Sequence, residues 1–422
     1  MNINIIKGAI VRYIAVLFIL LLNPIDTFSC TSAVISGRAT PDGRPILWKH
    51  RDSSCPGNAV RHFSGERYSF TGIVNADSTY SSQIWIGTNE AGFSIMNTAS
   101  YNLLSEQDYK GEMDREGLFM AEALGNCSTV DDFEEMLKST NGSRGVEANF
   151  GVIDAGGGAA YFEAGPLEYV KYDATDPGEA PAGYLIRTNF SFAGDSTEGY
   201  GYIRYRTISD LFMREYFEEG NISAEFIILE ATRCLKHSLL EVDLYDHPLP
   251  ADSGDRRMIP LNDYIPRSSS VSSMVVQGVR PGENPDMVVM WTIPGFPLVI
   301  PVFPLLNGIS DIPEMLRTDN GEPAPANQSS LVLKKRCFPI QAGSGYRYMD
   351  LAVLLNEECD GLLQSVLEID RQTLREAEDK LAGLRSQRDE KDSFKIIYRS
   401  VKKRADLFFR ANSELSSEVE DL

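Results

Sequence analysis

The sequence contains few of the residues that build metal sites and covalent cross-links. Only 4 histidines and 6 cysteines occur among 422 residues. No CxxC pair and no His/Cys cluster is present, so the sequence predicts no metal site. The triple glycine Gly156–Gly158 is not followed by Gly-Lys-Ser/Thr, which indicates a turn and not a phosphate-binding loop.

Basic side chains are also scarce relative to acidic ones. Lys and Arg number 40 against 60 Asp and Glu, which gives a formal net charge of −20 at pH 7. This charge argues against nucleic acid as a partner, because phosphates attract Lys and Arg. It argues equally against electrostatic binding to anionic lipid. Self-repulsion of a soluble surface accounts for it, and a hydrophobic fraction of 43% supports a large core.

Apolar runs long enough to span a membrane are absent from the sequence. The run Tyr13–Leu22 is shorter than the about 20 residues that a bilayer requires. The stretch Met287–Leu306 is interrupted by four prolines, which favours buried strands or loops. We therefore expect no integral membrane association.

The N-terminus has the pattern of a secretory signal peptide. Lys7 and Arg12 precede the short apolar run, and the helix-breaking segment "NPID" follows it. We predict a signal peptide over residues 1–29 and an exported protein, located in the bacterial periplasm or outside the cell.

Cys30 stands directly after this segment and has two alternative fates. Thr27 and Ser29 are small residues at positions −3 and −1, which suits ordinary signal peptidase. A lipoprotein signal normally has an aliphatic residue where Thr27 stands. The alternative to signal peptidase cleavage is a non-catalytic surface lipoprotein that is acylated at Cys30. Without Cys30, an odd number of cysteines remains, which leaves room for one or two disulfides. The remaining cysteines are Cys55, Cys127, Cys234, Cys337 and Cys359.

The segment that begins at Cys30 predicts a β-hairpin. "CTSAVISG" and "RPILWKHRD" have the composition of strands, and the turn signal Pro41-Asp42-Gly43 lies between them. Antiparallel pairing about this turn, with residue numbers that sum to about 82 or 83, places Cys30 opposite Asp52 or Ser53. An N-terminal cysteine has an α-amine of pKa near 8 that takes the thiol proton, and a neighbouring carboxylate would hold that amine.

The remaining chain up to residue 359 predicts one α+β domain. Further strand pairs are expected around "TNEAG" and Gly156–Gly158, and two helices in "REGLFMAEALGNCSTVDDFEEMLKST", the second capped by Ser128 or Thr129. "GYLIRTNFSF" predicts a strand, whereas "GYIRYRTISDLFMREYF" and "SAEFIILEATRCLKHSL" predict helices. No linker is found before Asp360, so residues 30–359 are predicted to form one domain.

Residues 360–422 differ in character and predict long helices. Leu367, Leu374 and Leu381 recur every seven residues within a highly charged segment. This narrow apolar stripe favours a C-terminal helical extension packed as a hairpin on the body of the protein. Association into a homo-oligomer through these helices is the alternative.

The opening motif resembles that of a known enzyme superfamily. "CTSAVISG…GRPILWKHRD" is similar to the start of N-terminal-nucleophile (Ntn) hydrolases of the linear amide group, which includes choloylglycine hydrolases, penicillin V acylases and isopenicillin-N acyltransferase-like proteins. There a Cys-led strand returns into Arg-x-x-Asp, so Cys30 and Asp52 match. Lys49 stands where choloylglycine hydrolases carry Arg and is the candidate substrate-binding residue. Lysine lacks the guanidinium fork, which argues against carrying over bile-acid or carboxylate recognition.

Three later segments follow in the order expected for this group. "GTNEAGFSIMNTA" resembles an Asn-Glu-x-Gly-Leu stretch and contains Asn97, and "LIRTNFSF" resembles a Thr-Asn motif and contains Asn189. "YIRYRTISDLF" resembles an Arg-aromatic helix start, where Arg204 or the competing Arg206 would match. The resemblance covers residues 30–303 and leaves the C-terminal helices outside.

The resemblance implies a four-layer αββα sandwich and cleavage of a non-peptide amide C–N bond in a small-molecule N-acyl substrate. The Cys30 thiolate would form a thioester, and Asn189 and Asn97 would hold the oxyanion. Asp52 would orient the α-amine, and Arg204 would support Asp52 or the thiolate. No metal or organic cofactor is implied. Water or another amine would release the acyl group, so hydrolase and acyltransferase are both open.

The process that would make Cys30 the N-terminal residue and the identity of the substrate also stay open at this point. Autoproteolysis or signal peptidase would expose Cys30. Bile conjugates, penicillin-like amides, peptides and N-acyl amino acids are all candidate substrates. Taken singly, Asn97 and Asn189 are typical of turns or strand edges, and Arg204 of a surface ion pair. A Cys–His protease that uses His50 is a further alternative.

Overall fold

A computed structural model describes residues 29–77, 82–103, 111–318 and 321–413 of the chain. The predicted signal peptide lies outside these residues except for Ser29, so it stays a prediction. Within the described ranges, every helix is too short or too polar to cross a bilayer.

The strands of the described residues pair antiparallel throughout. In chain order they are β1 (Thr31–Ile35), β2 (Ile46–Asp52), β3 (Asn58–Phe63), β4 (Phe70–Asn75), β5 (Ile84–Asn89), β6 (Ser94–Ala99), β7 (Ala148–Ile153), β8 (Ala159–Ala164), β9 (Tyr169–Asp173), β10 (Tyr184–Arg187), β11 (Lys236–His237), β12 (Val242–Asp243), β13 (Met258–Pro260), β14 (Ser270–Gln277), β15 (Val289–Ile293), β16 (Phe303–Leu306) and β17 (Tyr348–Asp350).

Two large sheets stack face to face. The first sheet has six strands in the order β10-β1-β2-β14-β15-β16, and the second has seven strands in chain order from β3 to β9. Ser32 Oγ of β1 lies 2.8 Å from Tyr161 Oη of β8 across the interface. The pairs β11–β12 and β13–β17 form separate two-stranded ribbons.

Helices cover the outer faces of both sheets. Phe133 of the helix Val130–Ser139 packs on Phe150 and Phe162 of the second sheet. Phe212 of the helix Tyr202–Glu219 stacks on Trp48 of the first sheet. This αββα order of layers confirms the predicted fold class. The α-helices of the described residues are α1 (Glu116–Asn126), α2 (Val130–Ser139), α3 (Tyr202–Glu219), α4 (Ala224–Phe226), α5 (Pro325–Cys337), α6 (Leu351–Leu354), α7 (Leu362–Arg385) and α8 (Lys395–Ser413).

The side chains of β2 point alternately to the helical layer and to the second sheet. Successive side chains of a strand point to opposite faces. Trp48 points to the helical layer, where its Nε1 donates to Thr232 Oγ1 at 3.0 Å. Leu47 and Lys49 point to the second sheet, and Leu47 occupies the space that Gly151 of β7 leaves.

The β1–β2 hairpin forms as predicted, but its register differs from the predicted one by one or two residues. Thr31 pairs with His50, so paired residue numbers sum to 81. The same register places Cys30 opposite Arg51, and the prediction of Asp52 or Ser53 opposite Cys30 is wrong.

The connection between β1 and β2 spans residues 36–45, and a turn is present at the predicted position Pro41-Asp42-Gly43. It contains a 3-10 turn over Gly37–Ala39. The loop is held by its neighbours, because the Ser36 N–H donates to Gly183 O at 2.9 Å and the Ile222 N–H donates to Ala39 O at 2.7 Å. The local sequence does not reveal these tertiary hydrogen bonds.

Most other predicted elements are present, with one exception. The strand pairs around "TNEAG" and the triple glycine are β5–β6 and β7–β8, and Thr129 caps α2 by accepting from the Asp132 N–H. The helix predicted for "SAEFIILEATRCLKHSL" is broken. It ends at Phe226, a π-helical turn follows over Ile227–Ala231, and β11 begins at Lys236. Buried β-branched isoleucines in this turn disfavour a regular helix.

The two C-terminal helices share the core of the first sheet. Leu367, Leu374 and Leu381 of α7 are buried in that core. Arg404 Nη1 of α8 donates to Glu376 Oε1 of α7 at 2.8 Å. The helices therefore lie as a hairpin against the body of the protein, and association into a homo-oligomer stays a prediction.

The cysteines are unpaired. All six lie in the described part of the chain, and each is a free thiol. The disulfides for which the sequence left room are therefore absent, and Cys30 keeps the thiol that a nucleophile requires.

Candidate active site

A cavity opens at the edge of the first sheet where β1 begins and β2 ends. Its volume is about 360 Å³. Both sheets and α1 contribute side chains to its wall, most of them polar. Four of the six residues identified from the sequence line it: Cys30, Lys49, Asp52 and Asn97.

Cys30 lies in the cavity wall and is held from behind by Arg204. The Cys30 side chain is buried, and its Sγ lies 3.9 Å from the Asp52 carbonyl oxygen. Arg204 Nη1 donates to the Cys30 carbonyl oxygen at 2.6 Å and to Thr31 Oγ1 at 2.8 Å. The α3 helix, which carries Arg204, thus fixes the start of β1.

Asp52 is anchored by two residues that the sequence did not identify. Ser270 Oγ donates to Asp52 Oδ1 at 2.6 Å, and Arg267 Nη2 forms an ion pair with Asp52 Oδ2. The same Arg267 nitrogen donates to the Ser29 carbonyl oxygen. One guanidinium therefore contacts both the Asp52 carboxylate and the residue that precedes Cys30.

Behind Asp52 lies a buried polar layer that does not reach the cavity. Lys334 Nζ donates to the Ser270 carbonyl oxygen at 2.8 Å, and burial lowers the pKa of Lys334 to about 8. His50 Nε2 lies 3.0 Å from Ser270 Oγ, and burial lowers the pKa of His50 to about 4. Among the described residues, no histidine lines the cavity. The geometry therefore offers no Cys–His pair with Cys30.

Asn97 faces Cys30 from the second sheet, and Lys49 holds it. Lys49 Nζ donates to Asn97 Oδ1 at 2.7 Å and to the Trp85 carbonyl oxygen at 3.0 Å. Burial lowers the pKa of Lys49 to about 8. Because Lys49 engages the oxygen of the Asn97 side chain, the amide nitrogen Nδ2 is oriented as a donor in the cavity wall.

Asn189 lies behind Cys30 and is coupled to Arg204. Arg204 Nη2 donates to Asn189 Oδ1 at 2.9 Å, and Asn189 Nδ2 donates to the Ala99 carbonyl oxygen at 2.8 Å. Burial lowers the pKa of Arg204 to about 9. Arg206 is exposed on the other side of α3 and lies 3.8 Å from Asp210, so the structure brings Arg204 and not Arg206 to the site.

Three further charged residues of the cavity, Arg51, Asp114 and Glu116, were missed by sequence reasoning. Arg51 lines the wall next to Lys49, and Glu116 contributes from the start of α1. Glu116 Oε1 accepts the Glu147 N–H at 3.0 Å, and burial raises the pKa of Glu116 to about 7. Alternation along β2 was the signal that could have identified Arg51, since it shares a face with Lys49. Glu116 carried no comparable signal.

The arrangement is suited to nucleophilic chemistry without a metal. A thiol, an anchored carboxylate and an amide donor converge on one cavity. Within the described ranges, no group of three His, Cys, Asp or Glu residues is placed to hold a metal ion.

No family model and no curated protein matches the sequence. Among solved structures, the chain is similar to a Caenorhabditis elegans N-acylethanolamine-hydrolyzing acid amidase ortholog, with 16% identity over 44% of this chain and 79% of that chain and a TM-score of 0.33. It is also similar to penicillin V acylase from Agrobacterium tumefaciens, with 13% identity over 66% of this chain and 86% of that chain and a TM-score of 0.34.

A third solved structure is a single-residue variant of conjugated bile acid hydrolase from Clostridium perfringens. The identity is 16%, the TM-score is 0.28, and the match spans 44% of this chain and 57% of that chain. These three are among the solved structures to which the chain is similar, and they are named as an acid amidase ortholog, an acylase and a hydrolase.

Proposed function

We propose that this protein is an exported N-terminal-cysteine amidohydrolase that cleaves a linear, non-peptide amide bond. The observation that carries the proposal is the position of Cys30. Its thiol lines a cavity beside Asp52. Ser270 and Arg267 anchor the Asp52 carboxylate at the point where a new N-terminus would lie.

In the first step, the α-amine of an N-terminal Cys30 takes the thiol proton. The thiolate attacks the substrate carbonyl carbon, and the resulting oxyanion accepts a hydrogen bond from Asn97 Nδ2. A preorganised donor of this kind contributes about 3 to 4 kcal/mol to transition-state stabilisation. The tetrahedral intermediate collapses with cleavage of the C–N bond, and the α-ammonium gives its proton to the leaving amine.

In the second step, water attacks the thioester. The α-amine takes a proton from this water, the C–S bond breaks, and the carboxylic acid leaves as the thiol is restored. An acyltransferase would use an amine in place of the water, and both outcomes share the same acyl-enzyme. The chemistry needs no metal or organic cofactor.

The supporting residues have separate tasks in this proposal. Asp52 orients the α-amine, and Arg204 positions Cys30 through its carbonyl oxygen. Lys49 orients Asn97 and contacts the substrate. Asn189 supports Arg204 by accepting a hydrogen bond from its Nη2, and it lies outside the cavity lining that includes Asn97. Asn97 is therefore the better placed of the two predicted oxyanion donors.

The mature N-terminus is the first test. We expect protein recovered from the envelope of an expressing bacterium to start at unmodified Cys30, by N-terminal sequencing and intact mass. A diacylglycerol adduct at Cys30 would support the lipoprotein alternative, and a start at another residue would contradict the mechanism.

Activity is the second test. We expect the mature protein to cleave members of a panel of N-acyl amides, and Cys30→Ala to lower kcat by about 1,000-fold or more. Cys359→Ser is the matched control, because Cys359 is an exposed thiol remote from the cavity lining. Added amines that divert the acyl group would indicate an acyltransferase. Equal loss in both variants would contradict the role of Cys30.

A further inference from the structure

His50 is a buried residue beside the site to which the proposed mechanism assigns no task. Its side chain is fully buried and lies outside the cavity lining. His50 Nε2 lies 3.0 Å from Ser270 Oγ, and Ser270 Oγ lies 2.6 Å from Asp52 Oδ1. The three side chains therefore form a chain of contacts that begins in the core and ends at a carboxylate of the cavity.

A β-bulge in β14 places these side chains on one face of the first sheet. β14 pairs Ser270 with Asp52 and then skips Val271 before the pairing resumes. If the register of the rest of β14 continued without this extra residue, Ser270 would lie opposite Ser53. The side chain of Ser53 points to the other face of the sheet from that of Asp52, because successive side chains alternate. The bulge therefore brings the Ser270 hydroxyl to the carboxylate.

The hydrogen bonds around Ser270 fix the position of a proton on His50. A serine hydroxyl carries one proton and two lone pairs. Ser270 Oγ donates its proton to the ionised Asp52 at 2.6 Å, and it accepts the Arg267 N–H at 3.0 Å. His50 Nε2, at 3.0 Å, therefore donates to the second lone pair and carries a proton.

The other ring nitrogen of His50 shows that the ring is neutral. Among the described residues, Nδ1 has no hydrogen-bond partner, so a second proton there would find no acceptor. Burial lowers the pKa of His50 to about 4. The positive charges of Arg204, Arg233 and Arg267 act in the same direction, and the opposite effect of the Asp52 carboxylate is outweighed. His50 is therefore a neutral donor and not a base.

We propose that His50 is a positioning residue that holds the Ser270 hydroxyl in its donor orientation toward Asp52. Without the His50 N–H, this hydroxyl can turn to the Ile265 carbonyl oxygen at 3.5 Å. Asp52 would then lose a charge-assisted hydrogen bond, and the α-amine of Cys30 would lose the fixed carboxylate that orients it. This inference rests on the proposed function, in which that amine takes the thiol proton.

Two substitutions separate the donor role of His50 from its role in filling space. His50→Gln keeps an N–H donor, whereas His50→Leu keeps a similar volume without one. We expect His50→Leu to lower kcat about 10-fold at an unchanged KM, because positioning and not substrate binding is lost. His50→Gln should retain most of the kcat. His237→Leu, at a second buried histidine outside the cavity lining, is the matched control. Equal losses in the two His50 variants, or full activity in His50→Leu, would overturn the inference.

Nuclear magnetic resonance tests the position of the proton directly. The sequence contains only 4 histidines, so in protein with isotope-labelled histidine the signals that His50→Gln lacks identify His50. We expect a neutral ring that is protonated on Nε2 between pH 6 and pH 8. A ring protonated on Nδ1, or on both nitrogens, would overturn the inference.

Alkylation of Cys30 in the mature protein separates this inference from the amidohydrolase proposal, because it needs no amide substrate. We expect iodoacetamide to modify Cys30 about 10-fold more slowly in His50→Leu than in the wild type, since activation of the thiol by the α-amine is impaired. His50→Gln should react at nearly the wild-type rate. Peptide mass spectrometry measures these rates, and the exposed thiol of Cys359 is the internal reference that should react equally in all three proteins.

The two proposals fail in different ways in this experiment. If the expected alkylation rates are found but no amide is cleaved, the positioning role of His50 stands and the proposed function fails. If amides are cleaved but Cys30 reacts at the same rate in all three proteins, the inference is overturned and the proposed function stands.

Discussion

At the scale of single residues, the site depends on side chains that neighbouring residues hold in place. Lys49 illustrates this, because it holds the oxygen of Asn97 and so decides which end of that amide faces the cavity. A protein side chain fixed in this way stabilises a transition state without reorganising during the reaction. The predictions at this scale therefore concern donors, acceptors and protons.

Asn97 provides the sharpest test of the oxyanion role. We expect Asn97→Ala to lower kcat by about 100- to 1,000-fold, since one preorganised donor is lost. Asn97→Asp keeps an oxygen for Lys49 but removes the N–H donor, so it should be equally impaired. Asn221→Ala, at an exposed turn, is the control. Steady-state kinetics that show full activity in Asn97→Asp would contradict the role.

The pH dependence of binding should reflect Glu116. Its pKa is raised to about 7 by burial, so it is neutral below that pH and negatively charged above it. Lys49, with a pKa lowered to about 8, loses its positive charge at a slightly higher pH. Both changes disfavour an anionic substrate as the pH rises.

We therefore expect the KM of a carboxylate-bearing amide to rise roughly fivefold between pH 6 and pH 8, as about 1 kcal/mol of repulsion between neighbouring charges implies. The KM of its neutral analogue should change little. Glu116→Gln, which keeps an acceptor for the Glu147 N–H, should remove most of the rise. An unchanged pH profile in Glu116→Gln would contradict the assignment.

At the scale of secondary-structure elements, the close approach of the two sheets positions the site. Gly151 of β7 allows this approach, because a Cβ there would lie 2.8 Å from Val34 Cγ2 and would also contact Met96 Cε. We expect Gly151→Ala to destabilise the protein by about 1 to 3 kcal/mol through overpacking. Urea denaturation checks this.

Gly125 of α1 is the matched control for Gly151. It is also buried, but a Cβ there would meet no atom closer than 3.4 Å, and the position lies within a helix. Gly125→Ala should therefore be neutral or slightly stabilising, since Ala favours helix over Gly. Equal destabilisation by the two substitutions would argue against the sheet contact as the cause.

The sequence predicted most elements because their signals are local. The strand composition of "RPILWKHRD", the turn residues of β5–β6 and the cap at Thr129 each act within a few residues, and each element is present. The predicted hairpin register was wrong, and the connecting loop makes hydrogen bonds to Gly183 and Ile222, which are distant in sequence. Local patterns carry no information about such contacts.

The site was only partly predictable for the same reason. Cys30, Asp52 and Asn97 lie in short motifs and were identified from them. Arg267 contacts Asp52 across 215 residues of sequence, and nothing in its own neighbourhood signals this. Only the pairing of β14 with β2, which is a property of the folded sheet, brings the two together.

At the scale of the whole molecule, the C-terminal helices are tied to the first sheet by a buried ion pair. Asp370 of α7 pairs with Arg233, and its other oxygen accepts the Val302 N–H at 2.8 Å. Both charged side chains are fully buried. Arg233 also donates to the Pro297 and Ile300 carbonyl oxygens, so the pair joins three parts of the chain.

We expect Asp370→Ala to lower the free energy of unfolding by about 3 to 5 kcal/mol, because Arg233 would be left buried without a partner. Asp406→Ala, which removes a surface pair with Lys402 within α8, should cost about 0.3 to 0.5 kcal/mol. Equilibrium unfolding in urea compares the two variants. Losses of similar size would show that α7 is not tied to the sheet through this pair.

The burial of Ser29 and Cys30 affects whether the proposed cleavage between them can follow folding. Both residues are 7% exposed, and Arg267 holds the Ser29 carbonyl oxygen while Arg204 holds that of Cys30. An external peptidase reaches the bond between them only before the surrounding sheet closes. Under the proposed cleavage before Cys30, folding and cleavage would therefore compete kinetically, and a precursor that folded first would be shielded from that peptidase.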